Sequence, residues 1–323
     1  MQAARADADH QSRRSRSWIA WGLCVPWLLF GTIRLFGLES GSVLVELLAF
    51  TPYVAATAVV PLIVAAILRE WPAASLAALA LVALAIMVLP RAFGGPTEAS
   101  GGPGPVLRVL AANMRVGEGS AQRLIDLVRE LEVDVLSVEE LTPQLARQLE
   151  RGGVGELLVH QRLQPAPGSF GSGLYSRLPL GSPSIRELPG GFPLISARIA
   201  LPGAASVEVV SVHTNPPTIA GWEEDLDALP DAVPPRIMLG DFNATLDHAA
   251  FRDLLDSGYD DAAETLGSGL TPTWSTGGVT VPPLFAIDHV IVGDAIGIRG
   301  FSAPGLPDSD HRAVFAELEL PAG

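Results

Sequence analysis

Three apolar runs fill most of the first ninety residues, and they constrain the fold more than any other feature of the chain. Trp18 to Phe36 is interrupted only by Arg34 near its far end. Val43 to Leu68 holds the single charge Glu46, again near an end, and Ala73 to Leu89 is almost pure Ala, Leu and Val. Each approaches the roughly 20 residues needed to cross a bilayer. Two other readings compete with three spans. A cleaved signal peptide would need a small-residue cleavage site after the first run, and two more spans follow instead. The third run is short enough to be a buried helix of a soluble core. The sequence therefore predicts a polar tail over 1–17 and a three-helix transmembrane region over 18–91. Arg13, Arg14 and Arg16 precede the first run, Arg69 lies between the second and third, and the loop 37–42 carries Glu39 and no basic residue. By the positive-inside rule the N-terminus is cytoplasmic, and three crossings leave the C-terminal part outside the cell membrane. Arg91 runs against this, as one residue against a cluster of three.

Residues 92–105 are rich in Gly and Pro and read as a linker, so a second domain is expected over 106–323. The composition of that part narrows its partners. From residue 101 onward 14 arginines face 29 acidic residues, a balance of −15. Nucleic-acid binding usually leaves a basic footprint, and this balance disfavours it. Cys24 is the only cysteine, which excludes an intrachain disulfide and a cysteine-based zinc site.

In the second domain, apolar runs at Val106–Ala112, Val133–Val138, Leu174–Ser176, Ile195–Leu201, Val207–Val212, Arg236–Leu239, Phe285–Val292 and Ala313–Leu320 predict strands. Helical spacing marks Gln122–Leu131, Leu145–Leu149 and Trp222–Leu229. Strands alternating with helices, together with strands paired through hairpins, predict an α/β sandwich of two mixed sheets flanked by helices, four layers in all. Several strands end in polar residues: Asn113, Glu139-Glu140, His213, and Gly240-Asp241-Phe242-Asn243. Residues i and i+2 of an extended chain share a face, which predicts Asp241 and Asn243 side by side. Asp288 lies within an apolar strand and needs a partner, for which His213 and His311 are available. Ser309-Asp310-His311 precedes the last strand. Taken singly, each of these residues has an ordinary structural role available, Gly, Asp and Asn being the usual turn formers. As a set they are of metal- and phosphate-handling type.

Asp134-Val-Leu-Ser-Val-Glu-Glu140, Gly173-Leu-Tyr-Ser-Arg177, Val212-His213, Gly240-Asp-Phe-Asn243, Ile287-Asp288 and Ser309-Asp310-His311, in that order, resemble the motifs of the endonuclease/exonuclease/phosphatase superfamily. The resemblance spans about residues 106 to 320. It implies a site where the strand ends of two sheets meet, with Glu140 binding Mg²⁺ or Mn²⁺ and Asn113 and Asp310 close by. It further implies that Asp241 prepares the attacking water and Asn243 holds a phosphate oxygen. His213 and His311, the latter supported by Asp288, would bind phosphate and manage protons. Hard oxygen ligands of this kind suit Mg²⁺. The family often places Gln before the metal-binding Glu, where this chain has Glu139, so the ligand is Glu139 or Glu140. Spans followed by such a domain also resemble the teicoplanin-resistance (VanJ-type) branch. The expectation is a membrane-anchored phosphohydrolase facing outward and acting on a phosphate-bearing substrate such as a lipid phosphate. An anchored extracellular nuclease and a catalytically inactive binding module are the alternatives.

Overall fold

The computed structural model describes residues 2–102, 104–233, 235–276 and 278–323, with side chains at Ser15 and from Ser17 onward. Arg13, Arg14 and Arg16 therefore lie outside the described side chains. The chain divides into two compact units. The first comprises Met1–Pro90 with Asp247–Ala249, and the second comprises Arg91–Leu246 with Ala250–Gly323.

In the first unit a single helix, Gln2–Phe36, continues the polar tail into the first apolar run. Ser17–Phe36 and Trp71–Ala92 are each long and apolar enough to cross a membrane. The second run is not one straight helix. Ser42–Leu48 and Thr51–Ile67 meet at a bend of 60°, so the unit holds two candidate spans, or three if the bent pair is one span. The bend has a local cause. Pro52 stands in the first turn of Thr51–Thr57, where it donates no N–H and disfavours helical backbone at the residue before it. Thr51 Oγ1 donates to Leu48 O at 2.6 Å across the break. Ala20, Cys24, Ala65, Ala73, Ala74 and Ala77 form the packed centre of the unit. Side chains this small let helix backbones approach closely, as apolar helices in lipid require. Arg34 Nε donates to Asp247 Oδ1 at 2.7 Å, so the one basic residue in the first run is paired.

Among its described residues the second unit contains twelve strands: β1 (Val106–Asn113), β2 (Val135–Glu139), β3 (His160–Gln164), β4 (Ser172–Ser176), β5 (Gly181–Glu187), β6 (Pro193–Ile199), β7 (Val207–His213), β8 (Arg236–Asp241), β9 (Tyr259–Asp261), β10 (Asp288–Gly293), β11 (Gly297–Ser302) and β12 (Val314–Glu319). They form two six-stranded mixed sheets in the orders β11-β12-β1-β2-β4-β3 and β5-β6-β7-β8-β10-β9. Each sheet has one parallel pair, β1 with β2 and β7 with β8, flanked by antiparallel neighbours. Consequently the C-terminal ends of the parallel strands and the N-terminal ends of β10 and β12 fall at the same edge.

The inner faces of the sheets follow the two-residue period of a strand. Leu107, Val109 and Ala111 of β1 enter the shared core with Val207 and Val209 of β7, Ile237 and Leu239 of β8, and Val290 and Val292 of β10. The opposite face of the first sheet, with Leu110, Leu136 and Val138, packs on Leu124, Leu127 and Val128 of the helix Ala121–Glu130 and on Leu145 and Leu149 of the helix Pro143–Arg151. Ser120 and Thr142 cap these helices by accepting from Arg123 N and Leu145 N.

The segment 92–105 differs from the expected free linker. Thr97 N donates to Ile298 O at 2.9 Å, Ser100 N donates to Ala295 O at 3.0 Å, and Ala99 is buried. The compact unit therefore starts at Arg91 rather than Val106. Glycine favours such a course because it lets backbone lie close against backbone: a Cβ at Gly104 would sit 2.0 Å from Leu320 O.

Candidate active site

The apolar inner rows of the strands terminate in polar side chains at the shared edge. Continuing by twos, Leu107-Val109-Ala111 reaches Asn113, Val207-Val209-Ser211 reaches His213, and Ile237-Leu239 reaches Asp241. The row of β10 begins at Asp288. Register places Asp241 opposite both His213 and Asp288. Asn113, His213, Asp241, Asp288 and His311 are all buried.

Asn113 Nδ2 donates to Asp241 Oδ2 at 2.9 Å and to Glu140 Oε1 at 3.3 Å, linking the two sheets. His213 Nε2 lies 3.8 Å from Asp241 Oδ2 and 4.0 Å from Glu140 Oε1. Asp288 engages His311 Nδ1 with both oxygens, at 3.1 and 3.0 Å, and His311 Nε2 faces Asp241 Oδ2 at 3.9 Å. His311, not His213, is thus the partner that Asp288 required. Ser309 Oγ holds this corner by donating to Asn113 O at 2.8 Å while accepting from His311 N.

These contacts set the protonation states. Burial alone would lower the imidazole pKa of His311, but the charge of Asp288 and its hydrogen bond outweigh it and raise the value to about 10. Burial, with His311 nearby, pushes His213 down to about 3. Its Nδ1 has no sound hydrogen bond, the Ser169 backbone giving it only slight support. Burial and the neighbouring Asp288 raise Asp241 to about 7, against the pull of His311. The site therefore pairs an imidazolium with a neutral imidazole and holds a carboxyl group poised near neutrality, the separation that acid–base work uses.

Glu139 and Glu140 part company. Val135, Ser137 and Glu139 share the inner face of β2, so Glu139 is buried between the sheets, where Ser137 Oγ is in hydrogen-bond contact with its Oε1 and with Ser211 Oγ. Burial drives its pKa well up. Glu140 leaves the strand in a left-handed conformation, φ 57°, which aims it at Asn113 and His213. Its Oε2 accepts from Val116 N, in a turn where Arg115 and Val116 are also left-handed. Strained backbone of this kind costs energy and clusters at functional sites.

Asn243 reaches the site by a different route from the expected one. It has φ 48°, so strand alternation ends at Asp241, and the two meet because Asn243 N donates to Asp241 Oδ1 at 2.9 Å. Its Nδ2 donates to Thr214 O. Gly240, at φ 141°, permits the turn, and a Cβ there would lie 2.0 Å from Val212 O. Asp310 faces Arg115 Nε at 3.9 Å, and its charge joins those of Asp288 and Asp241 in raising the pKa of His311.

Among the described residues Asp241, Asp288 and His311 have ligand atoms within 4.8 Å of one another. As an imidazolium bound to Asp288, His311 is a poor metal ligand. Glu140, which shares the Asn113 amide nitrogen with Asp241, is less buried and supplies hard oxygen. The carboxyl groups of Asp288, Asp241 and Asp310 thus act on one imidazolium, and Glu140 adds a further carboxyl beside Asn113 and His213. This donor chemistry fits a hard divalent cation. Sequence reasoning overlooked Arg115, Val116 N–H and Thr214, because turn residues with no motif context carry no signal.

Carboxyl, imidazole and carboxamide groups thus meet at the common strand edge of a two-sheet sandwich. The profile of the Endonuclease/Exonuclease/phosphatase family matches residues 110–311, and the chain belongs to that family. No curated protein matches it by sequence. Among solved structures, an endonuclease/exonuclease/phosphatase from Beutenbergia cavernae is similar with 20% identity and a TM-score of 0.54, over 67% of this chain and 72% of that one. A conserved protein of unknown function from Enterococcus faecalis has 16% identity and a TM-score of 0.54, covering 66% and 99%. D. rerio TDP2 complexed with single-strand DNA product has 16% identity and a TM-score of 0.53, covering 66% and 98%. At these identities the likeness is one of fold.

Proposed function

We propose that the chain is a membrane-anchored, Mg²⁺- or Mn²⁺-dependent phosphohydrolase. Its catalytic domain faces outward from the cell membrane and cleaves a phosphoester or pyrophosphate of a lipid-linked envelope substrate. The observation that carries the hydrolytic part is the array Asp288–His311–Asp241, with His311 Nε2 3.9 Å from Asp241 Oδ2. Asp241 takes the proton of the attacking water, and its position near neutrality suits it to that role. The His311 imidazolium, fixed by Asp288, neutralises charge building on the phosphoryl oxygens. His213, neutral, and Asn243 orient the phosphate. A divalent cation held by Glu140, with Asn113 and Asp310, would supply Lewis-acid polarisation of a phosphoryl oxygen.

The anchoring part rests on the apolar helices of the first unit, and the choice of a lipid-linked substrate on the acidic balance of the second. An anchored site meets membrane substrates at high effective concentration. An anchored nuclease is the second reading, favoured by the fold shared with the DNA-bound TDP2. A screen for Mg²⁺-dependent turnover on purified protein decides between them, reading phosphate released from lipid pyrophosphates against strand cleavage of single- and double-stranded DNA. Turnover of DNA alone would replace the lipid reading with the nuclease, and no metal-dependent turnover of either would leave a binding module.

A further inference from the structure

Phe170 is 47% exposed, yet it stands on a rigid loop beside the site. Ala166 N donates to Leu141 O at 3.1 Å and Leu141 N donates to Gly171 O at 2.9 Å, so the loop is fastened to the residue that follows Glu140. The contact is close, since a Cβ at Gly171 would fall 2.0 Å from Leu141 O. One face of the Phe170 ring stacks on Phe192 with centroids 4.8 Å apart, and the Phe192 ring lies 4.5 Å from that of His213. Val116, 48% exposed, is joined to Glu140 through its N–H. The backbone on which these two exposed apolar side chains stand is therefore tied to the Glu140–Leu141 segment, at Val116 itself and at the neighbour of Phe170. Both are held there against their tendency to bury, and Val116 also keeps a backbone conformation that β-branched residues avoid.

We infer that Phe170 and Val116 form an apolar lip that receives the first methylenes of a hydrocarbon chain esterified to the phosphate, making Phe170 a specificity-determining residue. The inference rests on the phosphohydrolase reading and names its substrate class. Charge decides between a hydrocarbon and a polynucleotide. Arg115, the residue before Val116, is already engaged by Glu118 at 3.0 Å and faces Asp310 at 3.9 Å. A strand of phosphates would meet an acidic rim there, whereas a hydrocarbon carries no charge to repel.

The test uses the full chain in detergent with Mg²⁺, titrated calorimetrically with methyl-, butyl- and octylphosphonate and with thymidine 5′-monophosphate. Partition of the probes into detergent is common to all variants and cancels in the comparison. Covering two or three methylenes should make octylphosphonate bind about tenfold more tightly than methylphosphonate. Phe170→Ala should reduce that ratio to about twofold, leaving methylphosphonate affinity and the ligand-free melting temperature unchanged. An undiminished ratio in the variant, no ratio in the wild type, or equal losses for all probes overturns the lip. So does an effect confined to thymidine 5′-monophosphate, which would mark a base-stacking platform. Chain-length dependence without turnover of any phosphoester or anhydride would sink the hydrolase reading alone. Turnover without chain-length dependence would sink the lip alone.

Discussion

Asp241 accepts hydrogen bonds from Asn113 and Asn243 and faces both imidazoles, so an amide in its place tests the chemistry with little change of shape. Asp241→Asn should lower kcat by about 10²–10⁴-fold, with a small change in KM and an intact melting curve. If Asp241 were only a turn former, Asn would serve equally and activity would survive. The glutamates give a second comparison. Glu140→Gln should abolish metal-stimulated turnover, and it should also weaken the rise in melting temperature that added Mg²⁺ brings. Glu139→Gln should retain most turnover. Its signature lies in stability: a carboxyl whose folded pKa is raised contributes stability below its unfolded pKa, and that contribution is lost as pH rises toward the folded value. The melting temperature of Glu139→Gln should therefore exceed that of wild type by more at pH 8 than at pH 5. An equal difference at both pH values would mean that Glu139 is ionised in the fold.

Strand β10 carries a second buried imidazole, His289, whose Nδ1 meets Asp261 Oδ2 of β9 at 2.8 Å and whose Nε2 meets Ala244 O at 2.9 Å. Both neighbours are acceptors, so both nitrogens carry protons. Burial opposes that charge, but Asp261 and the Ala244 carbonyl outweigh it and raise the pKa. The pair should stabilise the β9–β10 edge fully below about pH 6.5, and the contribution should fade as pH climbs through the raised value. Asp261→Ala, which leaves His289 buried without its anion, should cost about 3–5 kcal/mol. Chemical denaturation at pH 6 measures that loss, and a gap that does not narrow at higher pH would refute the linkage. The elements legible in the sequence were those with a buried face: β1, β7 and β8 read as apolar runs because their inner rows feed the core. The strands β3, β5, β9 and β11 gave no such signal. β5, Gly-Ser-Pro-Ser-Ile-Arg-Glu, is an edge strand with almost every residue exposed, β9 has three residues, and glycines interrupt β11. The motifs marked Asn113, His213, Asp241, Asp288 and His311 because strand ends expose polar groups in a fixed order. The left-handed turns that aim Glu140 and Asn243 depend on tertiary contacts and were illegible.

At the scale of the whole molecule, the bent second run decides on which side of a membrane the C-terminal residues lie. If Ser42–Leu48 with Thr51–Ile67 crosses, the chain crosses three times; if it re-enters and returns, it crosses twice. Length favours crossing. At 1.5 Å per residue Thr51–Ile67 reaches about 25 Å, and Ser42–Leu48, inclined at 60°, adds about 5 Å along the same direction. Together they match the roughly 30 Å hydrocarbon thickness of a bilayer. Charge agrees: Glu39 marks the loop before the pair and Arg69 the turn after it, the asymmetry expected when the second end is cytoplasmic. With the N-terminal arginine cluster inside, three crossings put Gly323 outside. Three fusions in the intact chain test this with a reporter active only outside the cytoplasm. Fusion after Gly323 and insertion in the 37–42 loop should give activity, and fusion after Arg69 should not. A re-entrant pair would keep the Arg69 fusion active and silence the one after Gly323, which would move the site to the cytoplasmic face and remove envelope substrates from its reach.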